Sequence, residues 1–374
     1  MRGAILTTLT GLACACLAVP VCHAQLFFGG SKAKLADAAK VTHSPGGMTI
    51  TPSGSIILSL HQYQKAEERL VEITPEGTVH SFPNAAVSRG DAGAPFVLDA
   101  VLGLQSDKRG VVWMLDNGRR SEMVPKLVGW DSSKNELVKI IYLPAPATLP
   151  TSFLNDLAVD PEEPYVYITD PASGSDAALI VVNLETGLAR RVLQGHFSVV
   201  PERIDITIDG RALSVRRPDG ETVEPMAGAG PIAVDRKGRW VYFGPMAGRT
   251  LYRINTDHLR DTSLTPVELI ARVEGYAPKP PCDGISMDSK DNIYVADIGN
   301  KAIGVIRENK KYEIFEADDR FLWPDGLCFG NDGKLYFYAN QLHMMGPYNG
   351  GRDRTQPPFH IYKIKALASG TVGR

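Results

Sequence analysis

The sequence predicts an all-β, six-bladed β-propeller, and three observations carry that prediction. A strand–turn–strand unit recurs six times along the chain. Glycine (36) and proline (26) are abundant and fall largely between the apolar runs, as turns with positive φ and broken helices require. No apolar stripe at helical spacing is long enough to compete. Four short strands repeated at ~40–75-residue intervals are the pattern of propeller blades, which bury their faces against one another in a closed ring.

Taken in order, the chain begins with an address. Arg2 precedes an apolar stretch from Ala4 to Val19, then Pro20 and the small-residue end Cys22-His23-Ala24. That is a secretory signal-peptide pattern, and the stretch falls short of the ~20 residues a membrane span needs. Cleavage is expected after Ala24, so residues 1–24 are the signal and 25–374 a single secreted or periplasmic domain, expected to be monomeric and free of the membrane. Residues 36–43 stand where a fourth strand would precede the first repeat. The repeats are Gly47–Leu60, Leu102–Asp116, Asn155–Asp170, Gly230–Gly244, Asp283–Asp297 and Asp325–Asn340. Third strands follow as RLVEIT, KLVGWD, LIVVNL, TLYRIN, AIGVIR and HIYKIK, and fourth strands as TVHSF, LVKIIYL, ARRVLQG, VELIARV and YEIFEA. The sixth repeat lacks a fourth strand, and residues 36–43 are expected to supply it, closing the ring with one N-terminal and three C-terminal strands. Residues 195–226 read as an inserted hairpin over one face, and 344–358, rich in Gly, Pro and Arg, as a long loop.

Composition excludes several partners. The chain has 374 residues, 44% hydrophobic and 22% charged, with 40 Lys and Arg against 42 Asp and Glu, a formal charge of −2. Nothing in that balance suggests nucleic acid or an anionic membrane. Loss of the signal would leave two cysteines, Cys282 and Cys328. Their offset along neighbouring inner strands, ~13 Å at the usual rise, predicts two free, buried thiols.

Alignment of the repeats places Gly46, Leu102, Asn155, Gly230, Asp283 and Asp325 in one ring at the axis. Antiparallel return brings Leu60, Asp116, Asp170, Pro245, Asp297 and Ala339 to the same face, flanked by His61 and Asn340. One mouth therefore collects Asn155, Asp156, Asp283, Asp325, Asp116, Asp170 and Asp297. Converging carboxylates need a cation, a proton or hydrogen bonds. Asn155, Asp283 and Asp325 are the candidate metal ligands, and an oxygen-rich set suits calcium. Asp116, Asp170 and Asp297 stand as ligand-binding candidates with turn capping as the competing role. His61, Trp323, Tyr338 and Asn340 complete the candidate ligand site. Aromatic residues elsewhere in the strands, such as Trp113 and Tyr167, read as packing between blades. No P-loop, dinucleotide-binding, nucleophile-elbow or H-E-x-x-H motif is present.

WMLDNG (113–118) with PKLVGWD (125–131), LNDLAVD (154–160), YITD (167–170), YFGPMAGRTLYRINTDHL and WPDGL (323–327) resemble, in order, the motifs of the yellow/major royal jelly protein family, in its bacterial, dopachrome-tautomerase-related type. The resemblance spans about 47–365. It implies a secreted six-bladed propeller with an axial pocket. Some members bind biogenic amines, and others are linked to isomerisation in dopachrome conversion. In that role Asp283 or Asp325 would be the catalytic proton acceptor. A more distant similarity is to gluconolactonase, regucalcin and paraoxonase propellers, which hold an axial calcium. Asn155 and Asp283 match two of those ligand positions, while Gly46 and Gly230 replace a glutamate and an asparagine. Three functions stand open: a propeller binding a small, aromatic-amine-type molecule, with or without isomerase activity; a calcium-dependent lactone or ester hydrolase; and a non-catalytic protein-interaction propeller.

Overall fold

The computed structural model describes residues 35–172, 174–216, 221–223 and 227–374. The signal-peptide reading, 1–24, lies outside the described residues. Six four-stranded antiparallel sheets form the blades of a propeller. Their innermost strands are Pro45–Ile50, Val101–Ser106, Leu157–Val159, Ala229–Val234, Cys282–Met287 and Pro324–Phe329. In the last sheet the order is Ala36–Val41, Phe359–Ile364, Leu335–Ala339, Pro324–Phe329. The N-terminal strand pairs antiparallel with the third C-terminal strand, from Ala36 opposite Lys363 to Val41 opposite Phe359. This is the expected closure. It leaves no blade with an open gap through which the ring could part.

The strands form because β-branched and aromatic residues alternate between turns whose chemistry is also repeated. In blades 2 to 6 an aspartate closes the turn between the first two strands. Asp107, Asp160, Asp235, Asp288 and Asp332 each accept a backbone N–H from two to four residues further on. Four of them also accept from an aromatic group on the next strand: Trp113 Nε1, Tyr167, Tyr294 and Tyr336 hydroxyls. Those aromatics belong to the packing between blades, as expected. Six hydrophobic clusters lie at the six blade-to-blade seams, so each sheet is covered on both faces by its neighbours. A seventh cluster lies apart from the seams and contains Ile206, Ile208 and Leu213 of the insertion, Met246, Trp323, Leu342 and Met345. The insertion forms two short hairpins, Thr207–Ile208 with Arg211–Ala212 and Val215–Arg216 with Thr222–Val223.

One expected strand is elsewhere. VELIARV lies partly in a helix, Pro266–Ile270, and the fourth strand of blade 4 is Glu274–Pro278. The helix carries a capping box: Thr265 Oγ1 accepts from Glu268 N, and the Glu268 carboxylate accepts from Thr265 N, with Pro266 in the first turn. These are legible start signals, and they outweigh a short apolar alternation. Cys282 and Cys328 are buried and unpaired, as the strand offset requires.

Because closure rests on one six-residue strand, deletion of Ala36–Val41 is expected to lower the melting temperature of the whole protein by on the order of 5 °C, the equivalent of a few kcal/mol for a domain of this size. Unchanged thermal melting followed by circular dichroism would contradict the closure.

Candidate functional site

The inner strands approach too closely for side chains at certain positions. A Cβ on Gly47 would sit 2.1 Å from Leu102 O, and one on Gly103 would sit 2.9 Å from Asp156 Cα. Glycine after the ring residue is therefore what lets neighbouring blades meet at the axis. Hydrogen bonds then tie blade to blade there: Ser59 Oγ to Leu102 O at 2.9 Å, Gly103 N to Asn155 O at 2.9 Å, and Thr169 Oγ1 to Gly230 O at 3.0 Å. In blades 1, 2, 4, 5 and 6 the pairing of the first two strands shifts register at or beside the ring residue. A bulge of this kind re-aims a side chain, and here it accompanies the presentation of the ring residue to the axis.

A cavity of about 360 Å³ opens on this ring, and all six ring residues line it: Gly46, Leu102, Asn155, Gly230, Asp283 and Asp325. The rest of its wall comes chiefly from connections between strands, including Tyr63, Phe153, Met246, Leu342 and Tyr348. A second, smaller cavity of about 70 Å³ shares Gly46, Asn155, Asp283 and Asp325 and continues along the inner strands past Asp156 and Tyr338 to residues 371–374. The acids on the axis thus lie between two cavities.

Neutral donors hold these acids. Asp283 Oδ2 accepts from Trp323 Nε1 at 2.8 Å, and the Asn155 amide also bonds to Asp283. Asp325 Oδ2 accepts from the Tyr338 hydroxyl and from Asn340 Nδ2, both at 3.1 Å, and its Oδ1 accepts from Gly326 N at 2.7 Å. Asp156 Oδ1 accepts from Leu157 N at 2.8 Å. Burial raises the pKa of all three. Asp156 is pushed up to about 7, with the Asp283 charge adding to burial. Burial and the charges of Asp283 and Asp156 hold Asp325 well above the usual carboxylate range. For Asp283 burial raises the value against the bonds from Trp323 and Asn155, which lower it. His61 lines the larger cavity. Its pKa falls to about 4, through burial and the Arg120 charge, so it is neutral at pH 7. Its Nδ1 accepts from Tyr63 N at 3.3 Å.

Of the candidates from the sequence, His61, Asn155, Asp283, Asp325 and Asn340 meet in the larger cavity. Asp156 and Tyr338 face the smaller one. Trp323 is fully buried behind Asp283 and lines neither cavity. Asp116, Asp170 and Asp297 correct the expectation of a second acidic ring: all are fully buried and line neither cavity. Asp116 pairs with Lys126 Nζ at 2.6 Å and accepts from Asp99, Ala100 and Gly118 N. Asp170 pairs with Arg191 Nη1 at 2.7 Å and accepts from Phe153 N at 2.8 Å. Asp297 accepts from Asn300 N and Nδ2 and from the Tyr312 hydroxyl. Their capping role prevails, and in blades 1, 3, 4 and 6 the next residue, His61, Pro171, Met246 or Asn340, reaches the cavity instead, as strand alternation dictates. Of the residues missed, Tyr63, Phe153 and Tyr348 lie outside the aligned strands, where the repeat carries no signal, while Met246 follows Pro245 as His61 follows Leu60 and was legible from the repeat.

The donor set does not fit calcium. The ion takes six to eight oxygens, whereas Asn155, Asp283 and Asp325 offer few, and Asp283 Oδ2 and both oxygens of Asp325 already accept from N–H and O–H donors. Among the described residues no group of three or more His, Cys, Asp or Glu side chains is arranged to hold a metal.

The family model described as major royal jelly protein matches residues 100–372. No curated protein matches the chain. Similar solved structures include a luciferin-regenerating enzyme (13% identity, covering 91% of this chain and 98% of that one, TM-score 0.57). A gluconolactonase from Xanthomonas campestris is 11% identical over 89% of each chain, with TM-score 0.53. The calcium-binding protein regucalcin from Agrobacterium tumefaciens is 13% identical over 90% of this chain and 98% of that one, with TM-score 0.51. At these identities the likeness is one of fold.

The raised pKa of Asp156 makes folding favour its protonated form. Its contribution is present below the unfolded value of ~3.9 and is lost as pH rises through about 7. Asp156→Asn mimics the protonated acid, so its stabilisation relative to the natural chain is expected to grow from pH 5 to pH 8. A melting difference that is constant across that range would contradict the shift.

Proposed function

Because the chain belongs to the major royal jelly protein family, we propose that its axial cavity binds a small cationic aromatic molecule of the amine type. The observation that carries this reading is the composition of one wall. Asp283 and Asp325 stand at the floor of a cavity whose sides are Tyr63, Phe153, Met246, Leu342 and Tyr348. Apolar and aromatic walls with a few convergent polar groups are what a small-molecule site requires. An ammonium would supply the positive charge these acids lack and would pull their protons off, while its ring lay against the aromatic walls. The apolar N-terminal stretch supports export, so the ligand would be met in the periplasm or outside the cell. Where the bound molecule carries an acidic C–H, Asp283 or Asp325 would take that proton and return it at a second carbon, an isomerisation with no net proton change.

Calorimetric titration with an aromatic amine and its uncharged alcohol analogue tests this. The amine is expected to bind more tightly, and Asp283→Asn to weaken it at least about thirtyfold, the ~2 kcal/mol lower end for unpairing a buried charge. Because burial raises both acids' pKa values, affinity should rise with pH above the ordinary carboxylate range while the amine stays charged. Equal binding of the alcohol would sink the reading.

The competing reading, a calcium-dependent lactone or ester hydrolase, needs a bound ion. Elemental analysis of the purified protein is expected to find no stoichiometric calcium, and chelation to leave the melting temperature unmoved. A stabilisation by calcium of several degrees would favour the hydrolase.

A further inference from the structure

We propose that Trp323 is a positioning residue: its indole N–H fixes which oxygen of Asp283 faces the cavity and links that carboxylate to the residues roofing the site. The bond from Trp323 Nε1 takes Asp283 Oδ2 at 2.8 Å in a fully buried setting. The other oxygen, Oδ1, lies on the side of Gly230, which lines the larger cavity. A Cβ built on Gly230, a cavity-lining residue, would lie 3.7 Å from Asp283 Oδ1. With Oδ2 held, the carboxylate cannot rotate to exchange its oxygens without breaking a buried hydrogen bond, a costly event.

The backbone shows that this placement is imposed. Trp323 has φ +61°, a left-handed conformation that is a true outlier for a bulky residue and persists only where its surroundings over-determine it. Across the strand pair Gln341 is also left-handed, at φ +56°. The two segments are joined by Asn340 N to Trp323 O at 3.1 Å and Gln341 N to Leu322 O at 2.9 Å. Asn340 in turn donates to Asp325. One strained corner of blade 6 therefore supplies a donor to each of the two cavity carboxylates.

The other side of the indole meets the roof. The His343 ring lies parallel to it, with centroids 6.0 Å apart at 12°, and Tyr348, which lines the cavity, lies 5.9 Å away. Ile206, Ile208 and Leu213 of the inserted hairpin share its hydrophobic cluster. Trp323 thus touches both the carboxylate at the floor and the two insertions above it. Among the described residues the other ionisable groups acting with Asp283 are Asp156, Asp325, the Cys282 thiol and the Tyr338 and Tyr348 hydroxyls, none of them a cation.

The test uses the full chain labelled with 5-fluorotryptophan, whose four tryptophans give four ¹⁹F resonances. The resonance missing from Trp323→Phe is that of Trp323. It is expected to move with pH in the ligand-free protein, with a midpoint above the ~3.9 of an ordinary aspartate, and its titration amplitude should fall at least fivefold in Asp283→Asn. If Trp323→Phe does not fold, the resonance that loses its titration in the isosteric Asp283→Asn identifies the same group. A Trp323 resonance that is flat with pH, or that titrates as before in Asp283→Asn, overturns the proposal. A purely structural indole would lower the melting temperature on replacement but would not follow the carboxylate. Only the consequence for ligand rests on the amine reading: an added aromatic amine should shift this resonance. A protein that titrates but shows no shift with amine refutes that reading and leaves the positioning role standing.

Discussion

The structure depends on how closely six inner strands can approach one axis. Gly47 and Gly103 set that distance, since a single methyl at either would strike a neighbouring blade's backbone. Close approach allows the blade-to-blade hydrogen bonds at the ring. It also confines the remaining space to two axial cavities, which meet at Asn155, Asp283 and Asp325. The surface that Asp156 and Asp325 retain faces those cavities rather than bulk solvent, and this enclosure raises their pKa values. Fold closure and site electrostatics therefore have one origin.

Two populations of buried acids result. Asp116 and Asp170 face away from the axis, where Lys126 and Arg191 neutralise them. Among the described residues no cation acts on Asp156, Asp283 or Asp325, only neutral N–H and O–H donors and one another. Removing a carboxylate from water is costly unless it is paired, and at the axis pairing is incomplete. A proton, or the positive ligand proposed above, would complete that pairing.

The repeat made most of this readable in advance. Alignment of the repeats puts six positions in one ring and all six reach the cavity, because strand periodicity recurs in each blade and the bulge in five of them. The second ring failed because alternation shifted by one residue puts His61 and Asn340 on the axis side and Asp116, Asp170 and Asp297 in the blade. A signal existed for one of them: Lys126 lies directly opposite Asp116 in register, and a lysine opening a buried strand needs an acid nearby. Thr265, Pro266 and Glu268 likewise marked a helix that the apolar alternation of VELIARV concealed.

By itself the sequence determined the architecture, the closure by a strand within residues 36–43 and the acidic ring, since these follow from periodicity, which is local and repeats. Only the tertiary structure decided what surrounds the ring. Tyr63, Phe153 and Tyr348 reach the cavity from connections that obey no repeat. Trp323 looked like a pocket wall and is instead a buried donor, because a left-handed backbone at that one residue turns its indole toward Asp283. Such contacts are long-range and single, and no pattern along the chain encodes them.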